Sequence, residues 1–434
     1  MKKSRKILTL LMVMVLVIGS LAGCKSKNES TGNNTKTDNA QATEAATDTP
    51  EATQAAPTDV TLKVWAPQEE QEILKQMCDN FKTAHPEYNL TFDFGVVSEA
   101  DASTELQKDP TAGADVFAFA SDQTSVLSNA GILYPITLDV DKITADNAPA
   151  SIKAATVNGQ LYAYPFTPNS WFMYYDKSKY TEDEVASLDT MMAKDLGDKV
   201  KNFSVDLDNG WYISAFFFAN GCTLFGPDGT DPTSCTFNDD NGVAVADYLI
   251  NLAKSPKFMD EADNNTLAAF KDGTLAAACS GTWNADAIKE ALGDNYAATA
   301  LPKITINGQD KQLSNFADFK LIGVNSQTKF AVPAMQLAEY LGGEECQKLR
   351  FEKRSIAPTN TKLATDSAVL ANPAVAALSL QASYSTLQSS IPQMGNYWTP
   401  AQAFGAEILN GTVTKDNAKQ KLDDMVNSIL SSIG

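Results

Sequence analysis

The sequence predicts an open α/β architecture folded into two lobes. Alternating apolar and polar residues over 60–65 give way to helical spacing over 69–83, and alternation resumes through Leu90, Phe92 and Phe94, which is a β-α-β unit. Strand-like and helix-like segments keep alternating toward the C-terminus, the signature of an α/β chain. Beyond a polar N-terminal stretch about 375 residues remain, more than one ordinary core accommodates.

Taken in order, residues 2–24 come first. A basic start (Lys2, Lys3, Arg5, Lys6) precedes an apolar run over 7–18 that is too short to span a bilayer and suits an export signal. Leu21-Ala22-Gly23-Cys24 then looks like a bacterial lipobox, in which the Cys24 thiol is acylated and residues 1–23 are cut away as the signal peptide. Each buried CH₂ of an acyl chain contributes about 0.8 kcal/mol, so a multiply acylated Cys24 would hold the protein to the cell membrane from the extracytoplasmic side. The plainer reading is a secretory signal with an incidental cysteine. From Lys25 to Thr58 there is no Val, Ile, Leu, Met or aromatic residue. Such a segment cannot bury enough apolar area to offset its ordering entropy, so 24–59 reads as the lipidated cysteine and a flexible tether.

The 69–83 helix places Ile73, Leu74, Met77, Cys78 and Phe81 on one face, and Pro86 stops it with His85 in an exposed turn. Residues 114–120 read as a strand and 121–130 as a helix ended by Gly131. Asn158-Gly159 marks a tight turn into 160–166, and 171–175 is β-rich. In the second half, 211–219 is a helix closed by Gly221, and 243–253 spaces Val245, Leu249 and Leu252 for burial. A short strand over 275–279 runs into Gly281-Thr282-Trp283, followed by a helix over 285–292 and a strand over 296–301. After the Asn307-Gly308 turn, 319–324 is strand-like, and from Ala331 the chain reads as almost wholly helical. Ala418, Leu422, Met425, Val426, Ile429 and Leu430 form a last apolar stripe.

Composition narrows the chemistry. A net charge of −19, from 34 Lys and Arg against 53 Asp and Glu, argues against a nucleic-acid partner, which needs clustered cations. His85 is the only histidine, which removes Ser-His-Asp catalysis and His-rich zinc sites, and no Gly-rich phosphate loop occurs. No cofactor or metal is expected. Lipidating one of the six cysteines leaves five; Cys222 and Cys235 flank Gly226-Pro227-Asp228-Gly229 and could pair across a hairpin or remain buried thiols.

Several stretches carry a resemblance. They are 62–65; 114–122; 158–165; Asn209-Gly210-Trp211 with Ala219-Asn220-Gly221; 280–283; and Ile391-Pro392-Gln393-Met394-Gly395-Asn396-Tyr397-Trp398, the most specific of them. In this order they resemble the bacterial extracellular solute-binding lipoproteins of ABC sugar importers, the maltose- and maltodextrin-binding group in particular, from about Val60 to the C-terminus. The resemblance implies a periplasmic-binding-protein-like fold with a hinge between lobes. The first lobe would comprise 60–167 and 318–365 and the second 168–317 and 366–434, with crossings near 166–169, 316–320 and 359–365. It also implies a non-enzymatic role: a monomer that captures a maltodextrin-type or related oligosaccharide and delivers it to permease subunits.

A sugar ring offers an apolar C–H face and a rim of hydroxyls, so its site needs flat aromatic surfaces and polar partners. The family's aromatic subsites carry over onto Phe119, Trp211, Trp283 and Trp398, with Tyr397 beside the last, and its carboxylate positions onto Asp122 and Glu69. Trp171 is added from its position just past the first crossing. Asn169, Asn209, Gln123 and Gln402 stand where the group has charged ligands, and Glu70 stands where it has a lysine. Trp65 ends a strand and is assigned to the core. The contrasting expectation is a secreted glycoside hydrolase, which needs two carboxylates roughly 5 to 10 Å apart across a scissile bond; Asp122 and Glu69 are its candidates.

Overall fold

The computed structural model describes residues 57–260 and 263–432. The stretches read above as a signal peptide (1–23) and as a lipidated Cys24 with a tether (24–59) lie, up to residue 56, outside the described residues. The first strand, β1 (Thr58–Ala66), starts before Val60: Thr58 and Asp59 already pair with Tyr88 and Asn89. It leads through a 3-10 turn, Gln68–Glu70, into helix α1 (Gln71–Ala84) and then β2 (Tyr88–Val96), and β1 and β2 pair in parallel as a β-α-β unit requires. His85 caps α1, but its ring is not free in solvent: it lies 4.1 Å from the Phe81 ring and Nδ1 is 2.8 Å from Glu87.

Strands β3 (Val116–Ala120) and β4 (Ala163–Asn169) complete the first pass through this sheet, and the chain crosses to the second lobe directly into β5 (Trp171–Asp176). There follow β6 (Phe203–Ser204), α2 (Gly210–Ala219), α3 (Asp240–Ala253), β7 (Phe258–Met259), β8 (Ala277–Gly281), α4 (Ala285–Leu292) and β9 (Tyr296–Thr299). The chain returns along β10 (Phe316–Val324) to α5 (Ala331–Gly342) and α6 (Glu344–Arg354). Beyond them, β11 (Thr386–Leu387) interrupts the expected helical run, and α7 (Trp398–Leu409) and α8 (Ala418–Ile429) close it. The first sheet has the order β11-β10-β3-β1-β2, with β4 on the other side of β10; the second has the order β9-β5-β8-β6-β7. Both Asn-Gly turns carry the two positive φ values a tight hairpin demands: 52° and 79° at Asn158 and Gly159, 53° and 73° at Asn307 and Gly308.

Each sheet has its own core. The first gathers Leu62, Val64, Phe117, Phe119 and Leu321 against Leu74, Met77 and Phe81 of α1 and Leu337 and Leu341 of α5. In the second lobe all six β5 residues are buried, because that strand is covered on both faces. Trp171, Met173 and Tyr175 join the cluster of α2, α7 and α8, while Phe172 and Tyr174 join Ile288, Val369 and Leu378. The final stripe lands as expected, with Leu422, Met425, Val426 and Ile429 buried. Cys222 and Cys235 remain free thiols in a hairpin held by the Leu224–Cys235 bridge, and burial pushes each thiol up to about 12.

The strands that pass between the sheets are tied together at Asn315. Its side-chain amide donates to the Ser170 hydroxyl at 2.9 Å and to the Trp171 carbonyl, and its Oδ1 accepts from Gln381 at 3.0 Å and Ser385 at 2.6 Å. Its carbonyl accepts the Thr386 N–H at 2.8 Å. Asn315 is fully buried, so this network is shielded from competing water.

Candidate functional site

Between the two sheets lies a cleft of about 490 Å³. Strand-to-helix junctions supply its wall. Trp211 is the second residue of α2, whose first turn is capped by Asn209: the Oδ1 accepts the Trp211 N–H at 3.0 Å. Trp283 sits in the 3-10 turn Thr282–Asn284 that follows β8, and Trp398 opens α7. Side chains in a first helical turn have no preceding turn to pack on, so these rings project from the helix ends. All three are half-buried and line the cleft. Trp211 and Trp283 lie 5.9 Å apart at 32°, and Trp398 is braced edge-on by Tyr397 and Phe316 at 5.2 and 6.1 Å. Gly281 makes room for one of them: a Cβ there would come within 1.8 Å of the Trp283 ring.

The polar side of the cleft is acidic. Glu69, Glu99, Asp122 and Asp318 line it against one ammonium, Lys320. Lys320 is already committed: its Nζ lies 3.1 Å from Glu99 and 5.9 Å from the Trp283 ring centroid. Asp318 accepts from the Ser121 hydroxyl and, at 3.1 Å, from the Asn169 amide. Asp122 Oδ1 and Gln388 Oε1 are buried without a hydrogen-bond partner among the described residues. Burial, followed by the neighbouring Asp318 charge, holds the Asp122 carboxyl well above the ordinary carboxylate range. Burial also raises Asp318, against the opposing hydrogen bonds from Ser121 and Asn169. Beneath Asn209, Asp206 is pushed up to about 7 by burial and by Asp208.

Eight of the residues singled out in the sequence meet here: Glu69, Asp122, Gln123, Asn169, Asn209, Trp211, Trp283 and Trp398. Five do not. Phe119 is fully buried in the first core, because its strand turns the ring inward and leaves Ala120 at the cleft. Trp171 is fully buried on β5, 4.8 Å from the Tyr212 ring. Tyr397 is buried too, its hydroxyl donating to the Gly210 carbonyl at 2.7 Å, so it fastens α7 to α2 beneath Trp398. Gln402 is exposed on α7 away from the cleft lining. Gln123 does line it, but its amide is spent on the 99–103 loop, donating to the Glu99 and Ala100 carbonyls at 2.8 and 2.9 Å and accepting from Ser103 N–H at 3.0 Å. Glu70 is an internal ion-pair partner of Arg350 and Arg354.

Glu99, Asp318, Lys320 and Gln388 are cleft residues that sequence reasoning missed. A signal existed for two of them: Asp318 and Lys320 stand two apart in an otherwise apolar strand, hence on one face. Glu99 and Gln388 lie outside regular elements, where no periodicity marks them.

Two α/β lobes enclosing an aromatic and polar cleft define the architecture of a two-lobed binding protein. Residues 76–377 match the bacterial extracellular solute-binding protein family, and the chain belongs to that family. It is 29% identical over 378 residues to the galactooligosaccharide-binding protein of Bacillus subtilis, covering 83% of this chain and 87% of that relative. It is 27% identical over 332 residues to the maltooligosaccharide ABC transporter solute-binding lipoprotein of Streptococcus pneumoniae, covering 74% and 76%. Among solved structures, one determined with acarbose matches with a TM-score of 0.81 at 40% identity, covering 86% of this chain and 98% of that one. A maltodextrin-binding protein from L. casei, solved without ligand, matches with a TM-score of 0.76 at 26% identity, covering 86% and 100%.

Proposed function

We propose that this protein is a lipid-anchored, non-catalytic receptor of an ABC importer that captures oligosaccharides of the maltodextrin type in the inter-lobe cleft and hands them to a permease. The observation that carries the reading is the convergence of Trp211, Trp283 and Trp398, three half-buried rings from distant parts of the chain, on one polar-rimmed cleft. Each ring can take the C–H face of one sugar, while Glu69, Asp122, Asn169 and Asn209 meet hydroxyls. In this reading the lobes are 60–167 with 318–365 and 168–317 with 366–434, and the crossings between them flex as the cleft shuts. Cys24, acylated after export, anchors the chain, which acts as a monomer. The relatives are binding proteins for galactooligosaccharide and maltooligosaccharide, which supports an oligosaccharide ligand and makes galacto-oligosaccharides the second reading.

Isothermal calorimetry against maltose, maltotriose, maltotetraose and a galacto-oligosaccharide series tests the proposal. Saturable binding to the α-glucans is expected, without release of new reducing ends. Silence toward the α-glucans with binding of the galacto-series would move the assignment to the second reading, and silence across both would remove it. Labelling with a palmitate analogue should mark the wild-type chain and spare Cys24→Ser.

A further inference from the structure

We infer that Trp65 is the floor of a further oligosaccharide subsite, outside the cleft, which takes the end of a chain too long for the cleft and gives the protein a preference for long chains. This rests on the oligosaccharide reading and adds the length of its ligand. The place of Trp65 near a strand end suggests core, yet the residue is half-buried and lines an open groove of about 590 Å³ on the first lobe. Gly95 makes room for its ring as Gly281 does for Trp283: a Cβ there would come within 2.4 Å of the indole. Pro67, Val96 and Val97 extend the apolar floor, and Val96 is 57% exposed. Gln68 and Glu105 bring polar groups to the same groove. An aromatic ring with apolar neighbours and hydrogen-bonding side chains around it is what a sugar needs, and it is the composition of the cleft itself.

Position decides the occupant. Strands β1, β2 and β3 run in parallel and end at one edge of the sheet. Ala120 at the end of β3 lines the cleft, while Trp65 near the end of β1 and Val96 at the end of β2 line the groove, so the groove continues the ligand-binding edge of the sheet outward. Glu69, Ser98 and Glu99 border both cavities. A sugar chain leaving the cleft over these three residues enters the groove directly. The groove is about as large as the cleft, 590 against 490 Å³, so it has room for a comparable number of sugar units. Because both ends belong to one molecule, contact with the groove is intramolecular once the cleft is filled, and even a single stacked ring shows as a gain in affinity.

The test is calorimetry with maltotetraose and maltoheptaose on the full chain and on two variants. Trp65→Leu keeps apolar bulk but removes the flat ring, and Val96→Arg would place a long side chain in the groove from an exposed position. Maltoheptaose should bind the wild type about tenfold or more tighter than maltotetraose, beyond the roughly fourfold that sliding a heptamer through one tetramer-sized site gives by counting. In both variants the ratio should fall to that counting value, while the maltotetraose affinity stays within about twofold of wild type. If the wild type shows no preference beyond counting, the inference falls and the oligosaccharide reading stands. The full preference surviving in Trp65→Leu, or in Val96→Arg should Trp65→Leu not fold, means that the chain leaves the cleft elsewhere and overturns the inference. Equal weakening of both sugars in both variants makes the groove a support for the cleft and also overturns it. If neither sugar binds the wild type, the α-glucan reading is lost, and this one with it.

Discussion

Trp398 and Tyr397 are neighbours in sequence with opposite fates, one ring half-exposed at the cleft and one sealed beneath it. This contrast gives a direct experiment. Trp398→Ala or Trp283→Ala should weaken oligosaccharide binding by about tenfold or more with little change in melting temperature, since each ring contributes stacking to the ligand and only part of its area to the core. Phe119→Ala should do the reverse, costing about 3–5 kcal/mol in urea denaturation, because its cavity opens in a packed interior. The Asp122 and Asp318 carboxyls allow a second test, in which the sign follows from their raised values. Below the ordinary carboxylate range both are protonated in the folded and the unfolded chain. As pH rises through that range the unfolded chain ionises first, the folded protein holds more protons, and stability falls until the folded groups ionise too. Calorimetric melting of Asp318→Asn from pH 4 to 8 should therefore show a smaller loss of melting temperature with rising pH than the wild type.

Glu70 shows how a short turn can lock two helices to a strand end. From the 3-10 turn after β1 its carboxylate accepts from Arg350 Nε at 3.2 Å and from Arg354 at 3.1 Å, both on α6, and Arg350 also donates to the Leu341 carbonyl of α5 at 2.6 Å. Arg350 is 2% exposed and lies over the Phe166 ring at 4.4 Å. Removing one member strands a buried charge, so Glu70→Ala should cost about 3–5 kcal/mol in urea denaturation. The sequence could not place this residue, because its two partners lie 280 and 284 positions away. What could be read were features with a local cause: the β-α-β unit from its periodicities, the Asn-Gly hairpins from their φ demands, and the α8 stripe from its spacing. Less legible were Phe203–Ser204 and Phe258–Met259, too short for any period. The same limit explains the site. Trp211, Trp283 and Trp398 were named by the resemblance, and each stands at a helix start, after Asn-Gly, after Gly-Thr or before Thr-Pro, from which a ring projects into the cleft. Phe119 and Trp171 lie inside strands, where a ring points to one face or the other according to what covers the sheet.

The two sheets are joined by strands that run from one core into the other, β4 into β5 and β11 beside β10, with Asn315 bonded across them. Such a joint is short, and its hydrogen bonds stay internal, so rotation about it need not disturb either core. The cleft it spans carries its aromatic wall on the second lobe, at α2, β8 and α7, and most of its charged wall on the first, at the ends of β3 and β10 and in the turn after β1. A ligand that stacks on one wall and bonds the other interacts fully only when both approach it. Its binding energy therefore favours the shut arrangement by the difference between contacts to one wall and contacts to two. Saturating maltotetraose should accordingly reduce the radius of gyration measured by small-angle X-ray scattering, and Trp398→Ala should need a proportionately higher sugar concentration to reach the same compact value. A radius that stays constant while calorimetry reports full occupancy would mean that the cleft binds without closing.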